Sequence, residues 1–362
     1  MTRVPTPAEP ASPPHNAAAS APDSVPSSRV AKRSLSRRFL NRPEVGSLMG
    51  AVAVFVLFMA IAEPFRSLDA FTTVLYASST IGIMAVAVSL LMIGGEFDLS
   101  AGVGVVTSAL AAAMFAFQFS TNVWIGVAVA LALSLTIGFV NGLIVVKTKL
   151  PSFLVTLAMF MMLQGLNLAV TRAVTGSVST QSIANMDGFG SAQAIFATNV
   201  SIGEFSVRIT VLWWILFVAL ATWILLRTKV GNWIYAAGGN PDAARAVGVP
   251  VNFTKIGLFM SVGFMAWFVG MHQLFRFNTV QSGEGVGNEL LFIAACVIGG
   301  CALMGGWGTA IGAAIGALIF GMTRMGIVFA GWNADLFMFF IGATLLVATV
   351  LNLWVRLRTA RR

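Results

Sequence analysis

The chain has 362 residues, 57% of them apolar and only 10% charged, with a formal net charge of +9. Soluble domains carry roughly a quarter of their residues as charges, so this composition excludes a soluble fold. Repeated apolar runs near the ~20 residues needed to cross hydrocarbon predict an all-α, polytopic integral membrane protein. The runs are continuous rather than alternating, which argues against a transmembrane β-barrel.

In chain order, residues 1–46 open with MTRVPTPAEPASPPHNAAASAPDSVPSS, rich in Pro, Ala and Ser and without apolar period. They read as a disordered basic tail. Ala60-Ile61-Ala62 has the form of a signal cleavage box, but the long leader and the many later runs favour an uncleaved anchor. About ten spans are predicted, at 47–63, 71–93, 98–117, 123–146, 152–171, 210–227, 256–276, 289–304, 307–329 and 335–355. They make a transmembrane domain over 47–355, followed by a basic tail over 356–362.

An even number of spans puts both termini on one side. If that side is the cytoplasm, it receives Arg3, Arg29, Lys32, Arg33, Arg37, Arg38 and Arg42, then Lys147, Lys149, Arg227, Lys229, Arg245 and Lys255. Arg356, Arg358, Arg361 and Arg362 complete 17 of the 22 basic residues. This obeys the positive-inside rule, so the charge is read as membrane topology and not as a nucleic-acid footprint.

Two loops exceed what connection requires. Residues 172–209, on the outer side, are polar and Gly/Ser-rich. Residues 228–255, on the inner side, contain YAAGGNPDAARAVGVPV. There Asn240 can cap a helix, Pro241 suits its first position, Asp242 its first turn, and Gly248 with Pro250 stops it. A helix of about two turns is too short to be stable alone, so it needs a partner.

Enzymatic equipment is missing from the pattern. His15 lies in the tail and His272 near a helix end, and no triad, metal cluster or HExxH helix can be assembled from them. Cys296 and Cys301 fall within one apolar run and read as buried reduced thiols. GVG at 102–104 and at 285–287 lacks a preceding strand or Walker lysine. Close helix packing accounts for it, as for Gly308, Gly312, Gly316 and Ala317 in GTAIGAAIGALIFG.

Polar groups in the spans are few. Glu96 and Asp98 flank a Gly-Gly break, where Asp98, helped by Ser100, either caps the next helix or lines a solute path. Asn141 sits near one span end. Gln164 and Asn167, three apart on one helix face, either bind a neutral hydroxyl-rich solute or tie helices together. Apart from Arg324 the helix centres lack ionisable groups, which disfavours an ion-coupled secondary carrier. GGEFDLSA (94–101) and GNELLFIA (287–294), the latter with Glu289, echo each other as inverted repeats would.

Four segments together resemble the ribose-type permease subunits of bacterial ABC sugar importers. GGEFDLSAG (94–102) is similar to that family's GG-hydrophobic-DLS-x-G, with Glu96 where an aliphatic residue is common. NGLIVVKTKLPSFLVTLAMFMMLQGL (141–166), GNWIYAAGGNPDAARAVGV (231–249) and GEGVGNELLFIAACVIGGCALMGGWGT (283–309) match its other signatures in order. The resemblance implies a second permease copy or paralogue, a cytoplasmic ATPase with tandem nucleotide-binding domains, and an extracytoplasmic sugar-binding protein. It implies no cofactor of the chain's own, since ATP is bound by the ATPase. By the same resemblance the short helix docks on the ATPase through Asn240, Pro241, Asp242, Ala243, Ala244, Arg245 and Gly248, with Ala243, Ala244 and Ala246 allowing close approach. The solute path is expected at Glu96, Asp98, Ser100, Asn141, Gln164, Asn167 and Glu289. Nucleosides and branched-chain amino acids are the alternative solutes.

Overall fold

The computed structural model describes residues 43–120, 122–202 and 205–360. Residues 1–42 of the expected N-terminal tail and 361–362 of the C-terminal one lie outside the described residues. Helix α1 (Pro43–Ile61) leads through a short 3-10 turn at Glu63–Arg66 to α2 (Leu68–Ile93), whose N-cap Ser67 accepts a hydrogen bond from the Ala70 amide at 3.1 Å. Every residue from Ile81 to Ile93 is buried, which makes α2 the axis of the bundle.

After the break at 94–100 comes α3 (Ala101–Phe119), then α4 (Val123–Thr148), capped by Asn122, and α5 (Ser152–Thr175). The loop expected over 172–209 is more structured than its composition suggests. It holds α6 (Phe189–Phe196) and an antiparallel hairpin, β1 (Asn199–Ile202) with β2 (Phe205–Arg208), in which Val200 faces Val207. Next are α7 (Ile209–Arg227), α8 (Lys229–Gly239), the short α9 (Pro241–Ala246) and α10 (Val251–Phe277). The chain closes with α11 (Asn288–Ile298), α12 (Ala310–Phe329) and α13 (Leu336–Ala360).

Antiparallel packing of α4 on α10 sets the two ends of the molecule. A Cβ on Gly142 would lie 2.8 Å from the Ile256 Cα, and one on Gly138 would lie 2.9 Å from the Met260 Cα. Thr148 and Val251 therefore share an end with Lys147, Lys149 and Lys255, which makes it the basic end of the molecule. The opposite, far end carries α6 and the hairpin.

Among the described residues eight helices are long and apolar enough to cross a membrane. The count of about ten needs revision at α11. The span expected over 289–304 is an 11-residue helix, about 16 Å long against ~30 Å of hydrocarbon. Its apolar composition continues past Ile298, but the backbone turns at Gly300, where φ is +91°. The chain then runs irregularly to Thr309, the N-cap of α12. Cys296 and Cys301 are free and buried, as expected.

At the far end, Phe196 of α6 stacks on Phe275 at 5.7 Å and meets Phe268 and Trp267 edge-on at 5.4 and 5.7 Å. Beside it the His272 ring donates from Nδ1 to the Phe196 carbonyl at 2.7 Å and accepts at Nε2 from the Tyr76 hydroxyl at 3.1 Å. His272 thus ties the loop to α2 and α10.

Candidate functional site

The break after α2 lies inside the molecule. Two of its backbone donors are satisfied by α5: Phe97 donates to the Ser152 hydroxyl and Leu99 to the Thr156 hydroxyl, both at 3.0 Å. Asp98 is 3% exposed, and its Oδ1 accepts from the Ser100 amide at 2.8 Å and the Ser100 hydroxyl at 2.6 Å. Asp98 is therefore not the helix cap anticipated as one option. Ser100 occupies the N-cap position of α3 without a side-chain cap bond, and Asp98 holds Ser100. Asn141, fully buried, donates to the Ser100 hydroxyl at 2.9 Å, which leaves its own Oδ1 without a partner among the described residues. Asp98, Ser100 and Asn141 thus form one chain of polar groups.

The two segments read as echoes meet. A Cβ on Gly102 would lie 2.8 Å from the Gly285 carbonyl oxygen, 2.9 Å from the Glu289 amide and against the Glu289 carboxylate. The first turns of α3 and α11 pack on one another there, and the buried Glu289 carboxylate folds back to accept from the Gly287 amide at 3.0 Å.

Gln164 and Asn167 lie in different surroundings rather than sharing the one face that their spacing suggests. Asn167 is buried, with its Nδ2 and the neighbouring Thr171 hydroxyl lacking partners among the described residues. Gln164 is exposed, amid exposed Met161, Met162 and Leu166. Three residues turn a helix by about 300°, enough to carry one amide over the edge of the buried stripe. Arg324 is exposed and forms no ion pair among the described residues.

At the basic end, α9 has the cap that its residues spell. The Asn240 side chain accepts from the Ala243 amide at 3.0 Å, Pro241 occupies the first turn, and Asp242 pairs with Arg245 at 2.7 Å in the open. The helix stops at Ala246, and Gly248 adopts a φ of +84°. The small residues do not all look outward. Ala244 is buried against Ala237 and Val251 and seats the helix on the chain itself. Asp242, Ala243, Arg245, Ala246 and Val247 are exposed.

The family described as "Branched-chain amino acid transport system / permease component" matches residues 70–349. The chain belongs to this permease family. It is 32% identical over 311 residues to the ribose import permease protein of Escherichia coli K12, covering 85% of this chain and 93% of that one. It is 28% identical over 292 residues to the fructose import permease protein of Rhizobium meliloti, covering 81% and 80% respectively. With the galactose/methyl galactoside import permease protein of Haemophilus influenzae it shares 30% over 296 residues, 78% and 86% of the two chains. No solved structure matches the chain significantly.

In this permease three Gly-Gly pairs far apart in sequence converge at the basic end. A Cβ on Gly238 would overlap the Ile93 carbonyl oxygen and lie 2.7 Å from the Gly306 nitrogen. One on Gly305 would lie 2.7 Å from the Gly95 Cα and 2.8 Å from the Gly238 carbonyl oxygen. Gly306 also donates to the Ile93 carbonyl at 2.8 Å. Across the same junction the Tyr235 hydroxyl, its pKa pushed up by burial, donates to the Gly308 carbonyl at 2.9 Å. The break, the end of α8 and the 299–309 segment thus touch backbone to backbone. Glu96 adds an ion pair with Lys255 of α10. In the sequence Glu96 stands out as a path residue and Lys255 as a topology signal, and no local pattern joins them.

Proposed function

We propose that the chain is the membrane-spanning subunit of an ATP-binding-cassette importer and conducts a neutral sugar or polyol without catalysis of its own. The observation that carries this reading is the 32% identity, along 85% of the chain, to a ribose import permease. In this reading α9 docks on a cytoplasmic ATPase, an extracytoplasmic binding protein delivers the solute to the far end, and both termini are cytoplasmic in a bacterial plasma membrane.

A second permease copy covers the exposed face of α5. Gln164 there has no partner among the described residues, and an amide left in hydrocarbon costs several kcal/mol. Two copies meeting at that face enclose the Gln164 amides between them within an otherwise apolar contact. The path then runs past Asp98, Ser100 and Asn141, beside the meeting point of α3 and α11. Helices that begin at membrane depth are where transporters place solute sites.

Uptake of labelled ribose, fructose, galactose and polyols into vesicles holding the chain with its ATPase and binding protein tests the reading. Transport of leucine or a nucleoside in their place would overturn the sugar assignment. Cysteines placed singly at Ser191 and Asp242, both exposed, are expected to label from opposite sides of the membrane, the second only from the cytoplasm. Labelling from one side would refute the topology.

For the path, both Asp98→Asn and Asp98→Ala are expected to impair uptake with the chain still inserted. Asn keeps the acceptor for Ser100, so loss of uptake in that variant isolates the charge. Ala also strands the two Ser100 donors, a cost of about 1–3 kcal/mol, visible as a lowered melting temperature. Uptake at the unaltered level in both variants would reduce Asp98 to a structural group.

A further inference from the structure

We propose that the Glu96–Lys255 ion pair is the positioning contact through which movement of α9 pulls on the 94–100 break. The inference rests on the reading that α9 docks on the ATPase.

Lys255 lies in the first turns of α10, and α9 is welded to that start. Val249 donates to the Ala244 carbonyl at 3.0 Å and Val251 to the Val249 carbonyl at 2.8 Å, while Ala244 and Val251 pack with Ala237. Movement of α9 therefore carries Lys255 with it. Glu96 lies in the break, next to Phe97 and two residues from Asp98. The pair spans 159 residues of sequence, and its side chains are only 14% and 9% exposed for Lys255 and Glu96.

Hydrogen bonds at this junction reach the break only by way of the 299–309 segment, and the direct contacts of α8 and α10 with it differ in kind from the ion pair. Gly238 against Ile93 and Gly95, and Leu258 against Gly94, are contacts of atoms at or near touching distance. Such contacts resist compression steeply but yield under tension, because dispersion attraction is small per atom pair. They let α8 and α10 push the break. An ion pair shielded from water resists separation, since parting it strands two buried charges. Between α10 and the break, Glu96–Lys255 is the charged contact among the described residues, and it can pull.

The test uses the assembled complex of permease, ATPase and binding protein in liposomes, with labelled ribose, fructose and galactose as probes. Docking is read independently from a photo-cross-linker at Val247, which is 79% exposed on the α9 side. Glu96→Gln and Lys255→Gln are each expected to lower uptake about ten-fold while ATP hydrolysis by the complex changes less than about two-fold. Exchanging the charges, Glu96→Lys with Lys255→Glu, is expected to restore uptake to within about three-fold of the unaltered chain. A merely structural role would lower hydrolysis and uptake together. The proposal is overturned if the single variants transport normally. It is equally overturned if the exchange stays as low as they do while the cross-link forms, or if all variants including the exchange fail to assemble. No cross-link in the unaltered complex would refute the docking reading, and this inference with it.

Discussion

Tryptophan at Ala243 is expected to abolish solute uptake with the permease fully folded. Ala243 is exposed on α9, and its backbone amide is engaged by the Asn240 cap. A large side chain there leaves the seat of α9 intact and obstructs whatever docks on its outer face. Ala244→Trp is the informative contrast. Ala244 is 2% exposed between α8 and α10, so overpacking it costs about 1–3 kcal/mol and unseats the helix. Proline at Ala244 removes the bond from its amide to the Asn240 carbonyl, 2.9 Å long, and costs about 3 kcal/mol. The expected signatures therefore separate. Ala243→Trp loses uptake and solute-stimulated ATP hydrolysis at an unchanged melting temperature, whereas both Ala244 variants lower the melting temperature too. Hydrolysis by the ATPase alone and solute binding by the binding protein stay unchanged throughout. Normal uptake by Ala243→Trp in an intact complex would remove α9 from the coupling role.

Gly238→Ala is expected to have the largest effect on stability of any single methyl addition at the basic end, and Gly239→Ala next to it almost none. The added carbon at Gly238 overlaps the Ile93 carbonyl oxygen and crowds the Gly306 amide, two backbone groups that are themselves hydrogen-bonded at 2.8 Å. Neither can rotate away as a side chain would. Overpacking of about 1–3 kcal/mol together with a weakened backbone bond of about 1 kcal/mol is expected. At Gly239 a Cβ meets nothing within 4 Å, and alanine improves helix propensity. Thermal unfolding of the two purified variants compares them directly; equal melting temperatures would mean that the junction is not close-packed.

What the sequence makes legible here is what depends on neighbours along the chain. The α9 cap is complete within Asn240–Gly248, so its position follows from residue types alone. Long apolar runs mark α1 to α5, α7, α10 and α12 in the same way. Hydropathy fails at α11, because Cys301, Ala302, Leu303 and Met304 continue the apolar run while Gly300 breaks the backbone. The inward side of Ala244 was invisible because Ala237 and Val251, which cover it, belong to other helices. Spacing alone put Gln164 with Asn167, but the width of the buried stripe on α5 decides which amide is inside. Glu96 and Lys255 illustrate the general case, for an ion pair across 159 residues leaves no mark on either local stretch.

The far-end loop has a consequence for recognition. A polar, Gly/Ser-rich loop of this length would ordinarily lose much conformational freedom on meeting a partner, at about 1–2 kcal/mol for each residue newly fixed. Here Phe196 is already wedged among Phe275, Phe268 and Trp267, and its carbonyl is already held by His272. That entropy is lost when the chain folds rather than when it binds. If a binding protein docks at this end, as proposed above, the stretch around Phe196 needs no such ordering, which lowers the cost of holding it.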